Sequence, residues 1–120
     1  MSDKTVYWVD ISDYDLGTAD AMFRTGRYLY VGFMCHQVIE KILKGLYTKQ
    51  TGLIPPYTHS LAYLAQKTGL LDILNEQQKD FLLKLEPLNI EARYPADKEK
   101  MTKELTEPVC ISLLKNTSEL

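Results

Sequence analysis

Residues 27–49, RYLYVGFMCHQVIEKILKGLYTK, decide how the rest of the chain is read. At roughly 100° per residue, Val31, Cys35, Val38, Ile39, Ile42, Leu43 and Leu46 fall on one arc of a helix over Arg27 to Lys49. His36, Gln37, Glu40, Lys41, Lys44 and Thr48 fall on the opposite arc. An apolar arc of that width faces a core, and the polar arc reads as a wet face. Gly32 lies on the apolar arc, where the missing side chain leaves room for a neighbouring helix, and Gly52 follows as a stop signal.

On the N-terminal side, Leu16, Ala19 and Phe23 recur at helical spacing, which predicts a short helix from Asp13 to Thr25 with Ser12 or Asp13 as cap and Gly26 beyond its end. Val6, Trp8 and Val9 alternate like a brief strand with no partner strand, so residues 1–11 are expected to form an extended arm packed on the helices. On the C-terminal side, Pro55, Pro56 and Tyr57 make a rigid loop. Thr58 or Ser60 then caps a short helix from Leu61 to Lys67 that stops at Gly69. A fourth helix starts near Asn75, with Gln78 as its capping-box partner and Leu74, Phe81, Leu85 and Leu88 on one face, until Pro87 kinks or restarts it. Residues 89–97 read as an irregular turn around Tyr94 and Pro95. A last helix begins at Thr102 or Thr106 and aligns Leu105, Val109 and Leu113, with Pro108 placed most easily in its first turn.

The chain is a string of helices in a single domain over residues 1–120. With 120 residues, 45% of them hydrophobic, there is material for one core. Fourteen Lys and Arg against sixteen Asp and Glu give a formal charge of −2, so no global positive field drives binding to nucleic acid or to an anionic membrane. Any such contact has to be local. Cys35 and Cys110 are too few for a disulfide framework, and both read as buried thiols of a cytoplasmic protein. Charge interrupts every apolar stretch well before the roughly 20 residues of a membrane span.

The candidate chemistry is sparse. Phosphate loops, dinucleotide-binding turns, paired cysteines and zinc-protease helices are all missing. His36 and Glu40 are one turn apart, as in half of a metal site, but a second such pair is lacking; Glu40 is instead expected to pair with Lys44 in the favourable orientation. No metal, cofactor or catalytic residue is assigned on this basis. His59, after the two prolines, either makes a structural hydrogen bond at the start of the third helix or works as a proton carrier beside Arg93. Arg93 and Tyr94 are the strongest ligand-binding candidates. A guanidinium takes phosphate with two parallel hydrogen bonds, and an adjacent ring can stack on a base. The competing reading pairs Arg93 with Glu91 or Asp97 and packs Tyr94 across the bundle end. Lys41 and Lys44 join a phosphate site only if the fold clusters them with Arg93.

The segment from Asp15 to Tyr47, DLGTADAMFRTGRYLYVGFMCHQVIEKILKGLY, followed by THSL at Thr58 to Leu61 and ARYP at Ala92 to Pro95, resembles the HEPN family (higher eukaryotes and prokaryotes nucleotide-binding domain), in its ARYP-containing branch. The resemblance implies an all-α fold, an antiparallel up-and-down four-helix bundle with an additional short helix, commonly a homodimer. It also implies a bound nucleotide or RNA, or a small nucleotidyltransferase as partner, sometimes in toxin and antitoxin pairs. In the ribonuclease branch an arginine is followed four to six residues later by a histidine. Arg93 matches the arginine, but Tyr94, Pro95, Ala96, Asp97, Lys98, Glu99 and Lys100 follow it and no histidine does. A lysine with an ordinary pKa of about 10 is a poor proton carrier near neutral pH. The resemblance therefore implies a binding domain without catalysis, with Arg93, Tyr94, His59, Lys44 and Lys41 at the site; the alternative is a metal-independent ribonuclease toxin using Arg93 with His59. Family members extend the last helix past the position of Leu120, so its final turn is expected to fray here.

Overall fold

The computed structural model describes residues 3–88, apart from the side chains of Asp3, Tyr28 and Leu29. Four α-helices follow one another: α1 (Asp3–Arg24), α2 (Tyr28–Thr51), α3 (Leu61–Lys67) and α4 (Glu76–Leu85), with a short 3-10 turn at Leu70–Asp72 between the last two. The described part is all helical, as the periodicity predicts. Tyr94, Arg93, Cys110 and the expected last helix lie outside the described residues.

The longest departure from expectation is at the N-terminus. Residues 3–11 are not an extended arm; they are the first half of α1, a 22-residue helix. The alternation of Val6, Trp8 and Val9 is too short to specify a strand. The helical stripe is carried instead by small residues seven apart: Thr5, Ser12 and Ala19 are all essentially inaccessible to solvent. Ser12 is accordingly no N-cap. Its hydroxyl donates to the carbonyl of Val38 on α2 at 3.0 Å, a buried bond between the two long helices. A three-residue link, Thr25–Arg27, joins α1 and α2 as an antiparallel hairpin in which the amide of Arg27 donates to the carbonyl of Met22 at 2.8 Å.

On α2, Val31, Cys35, Val38, Ile39 and Leu43 lie in the core as the apolar arc requires, while Ile42 is partly exposed. Gly52 closes the helix in the left-handed conformation (φ 72°), its amide donating to the carbonyl of Thr48. A close approach is seen at Gly45: a Cβ there would lie 3.1 Å from Cβ of Trp8 and 3.8 Å from the carbonyl oxygen of Thr5. Helix α3 is capped by the Ser60 hydroxyl, which accepts from the amide of Tyr63. At the start of α4, Asn75 and Gln78 form the expected capping box. Helix α4 ends at Leu85, two residues before Pro87, and Leu61, Leu64, Phe81, Leu82, Leu85 and Leu88 complete the core.

Two glycines separate space from conformation. Gly45→Val should destabilise the protein by about 1–3 kcal/mol, because extra atoms press on Trp8 and on the Thr5 carbonyl. Gly17→Ala, where nothing lies within 4 Å, should stabilise it by roughly 0.5–1 kcal/mol through helix propensity alone. Urea unfolding midpoints of the two variants check both signs.

Candidate functional site

The polar arc of α2 is not a wet face. His36, Glu40, Lys44 and Thr48, each one turn from the next, are 0%, 0%, 7% and 1% exposed, so α2 is buried on two sides. The polar seam is covered by α1 and by the loop that leads from Thr51 into α3. An ionised carboxylate taken out of water needs partners on the spot, and Glu40 has three. Its Oε2 accepts from the Lys44 ammonium at 3.1 Å and from Lys41 at 3.4 Å. Its Oε1 lies 2.9 Å from Nδ1 of His59. The Glu40–Lys44 pair is the one expected from the sequence; His59, 19 residues away, is the partner that only the fold supplies.

Burial pushes the Glu40 carboxyl up, but the His59 hydrogen bond and the charges of Lys44 and Lys41 outweigh it, and the net shift is downward. Glu40 is thus an ionised, acceptor-only group, which requires a proton on Nδ1 of His59. In the neutral imidazole, Nε2 is then the acceptor, on a ring whose side chain is 47% exposed. Fixing one ring nitrogen so that the other is available is how a carboxylate orients a working histidine.

Next to this pair stands His36. Its ring is fully buried, and Nδ1 is 3.8 Å from Oε1 of Glu40. Burial drives its pKa down to about 4, against the opposing pull of Glu40 and Glu86. It is therefore a neutral core histidine rather than part of a wet face. Asp15 of α1 reaches the same region: burial raises its carboxyl, Lys41 lowers it and Glu40 raises it.

His59 is held in place by more than Glu40. The Glu86 carboxylate, just past the end of α4, accepts from the amides of Leu61 and Ala62 at 2.9 and 3.0 Å, which ties the first turn of α3 to α4. The amide of Ser60 donates to the Thr58 hydroxyl at 3.1 Å, tightening the loop around His59. Glu86 escapes a sequence reading because its two partners lie 24 and 25 residues upstream, and the only local signal is an acidic residue directly before a proline.

Of the five residues expected at a ligand site, the fold brings Lys41, Lys44 and His59 together around Glu40. Lys44 is buried and engaged with Glu40, so it shapes the site from behind, whereas Lys41 and His59 reach its surface. Arg93 and Tyr94 lie outside the described residues. Among the described residues no three side chains are arranged to hold a metal ion, so the His36–Glu40 pair remains an isolated half-site. No helix among them is long and apolar enough to cross a membrane.

A helical domain whose longest helix buries a Glu–Lys–His network, opening to solvent at one histidine, is the class that fold and site define. The chain belongs to the HEPN domain family, whose family model matches residues 5–120. HEPN domains are helical domains of nucleotide-binding or ribonuclease type. Among curated proteins and among solved structures, nothing matches the chain.

The buried His36 makes a signed prediction. A histidine whose folded pKa is depressed contributes stability that is present above its unfolded pKa near 6.5 and is lost as pH falls toward about 4. At full effect this loss is on the order of 3 kcal/mol. Urea unfolding between pH 7 and pH 4 should show that loss for the natural protein. The His36→Leu variant should lose markedly less over the same window.

Proposed function

We propose that this HEPN domain binds a nucleotide or nucleic acid and has no catalytic activity of its own. The site comprises His59, Lys41 and Lys44 around Glu40, completed by Arg93 and Tyr94. The observation that carries the reading is the 2.9 Å contact between Nδ1 of His59 and Glu40. It holds a half-exposed imidazole in one orientation beside Lys41 and Lys44. With a chain charge of −2, phosphate recognition has to come from such a local cluster. Arg93 adds the bidentate phosphate donor and Tyr94 the stacking ring. The domain acts in the cytoplasm as a homodimer, its small core being extended across an interface, and a small nucleotidyltransferase is its protein partner.

The same contact favours a second reading. A histidine with an orienting carboxylate can carry a proton, so a metal-independent ribonuclease toxin would use His59 in place of the histidine that is missing after Arg93.

Isothermal titration with ATP, GTP and short RNAs separates the cases. Binding should be present in the natural chain and weakened about tenfold or more in Arg93→Ala and His59→Ala. Labelled RNA incubated with the protein in excess chelator should stay intact. Cleavage that disappears in His59→Ala would establish the ribonuclease instead, and the absence of binding to any of these ligands would remove the leading reading. Light scattering should return twice the 13.8 kDa chain mass.

A further inference from the structure

We infer that the cleft between the start of α1 and the loop after α2 is the seat of a single nucleobase, packed against Trp8 and Tyr7. The inference rests on the nucleotide or nucleic-acid reading above and gives the base a seat of its own, apart from the ring of Tyr94. The cleft has a volume of about 330 Å³ and is lined by Lys4, Tyr7, Trp8, Thr48, Ile54 and Pro55. That is the lower end of the size range of small-molecule sites. It suits a flat ring system better than a partner's helix, which is about 10–12 Å across.

The walls are built for such a ring. Tyr7 and Trp8 stand nearly edge to face, with centroids 5.4 Å apart and planes at 75°, so a base stacked on one is met at its edge by the other. Ile54 and Pro55 add aliphatic surface to the lining. Trp8 is held from behind by two features already described. The backbone of Gly45 leaves room for it, and the Lys44 ammonium, fixed by Glu40, lies 5.6 Å from its ring centroid. The same lysine thus touches both the Glu40–His59 cluster and the cleft. Thr48 in the cleft is two turns from Glu40 along α2, about 12 Å at the helical rise per residue.

Charge selects the class of ring. Among the described residues no acidic side chain lines the cleft, and Lys4 stands exposed at its edge. Phosphates attached to the base therefore meet a cation at the rim, whereas an uncharged hydrophobe would gain nothing from Lys4. A free nucleotide and one residue of an RNA strand share this chemistry.

Trp8 is the only tryptophan of the chain, so it reports on its own cleft. The full chain is titrated with ATP, GTP and a short single-stranded RNA, following Trp8 fluorescence and calorimetric heat in parallel. A Trp8 change with the same midpoint as the heat is expected. ATP or GTP producing it identifies a free nucleotide as the source of the base, and RNA alone producing it identifies a strand. Tyr7 and Lys4 are exposed, so Tyr7→Ala and Lys4→Glu should fold; each should raise Kd by about tenfold or more. Heat without a Trp8 change, or an affinity unchanged in both variants, overturns the cleft assignment and leaves the nucleotide-binding reading standing. No heat with any of the three ligands overturns both.

Discussion

A carboxylate with no exposed surface has to be compensated where it sits, and Glu40 at the middle of α2 sets that requirement for everything around it. Its Oε2 holds Lys44 and Lys41 from its own helix, and its Oε1 draws in His59 from the loop before α3. Removing one member of a buried pair typically costs about 3–5 kcal/mol, because the other is left charged and dry. The loop from Thr51 to Ser60 contributes the third of these partners, so its drift from α2 would leave Glu40 with the two lysines alone. Glu86 adds the second restraint by accepting from the first two amides of α3. Between them, the two glutamates fix where His59 is held.

The helices themselves were largely legible in the sequence, and the failures are instructive. Apolar stripes on α2 and α4 and the cap residues Ser60 and Asn75 obey local rules that need no partner. The first half of α1 did not announce itself because its buried stripe is Thr5, Ser12 and Ala19, residues that carry little hydrophobic signal and serve by being small. The polar arc of α2 escapes local rules for the complementary reason. Periodicity distinguishes polar from apolar but cannot distinguish a solvated charge from one whose partner arrives from a distant loop. His36, Glu40 and Lys44 are buried because His59, Trp8 and α1 cover them, and none of those contacts is local in sequence.

For the site, residue types were easier to read than roles. Lys41, Lys44 and His59 do meet, yet Lys44 turns out to be a structural cation between Glu40 and the ring of Trp8. The network sets the Glu40 carboxylate against Nδ1 of a half-exposed His59.

Glu40 is ionised and dictates the state of His59. With two histidines in the chain, long-range proton–nitrogen NMR correlations can assign both rings. Neutral His59 should carry its proton on Nδ1, and Glu40→Leu, which offers no acceptor, should abolish this bias while His36 stays neutral in both proteins. A His59 ring protonated on Nε2 alone, or one indifferent to the loss of the Glu40 charge, would contradict it.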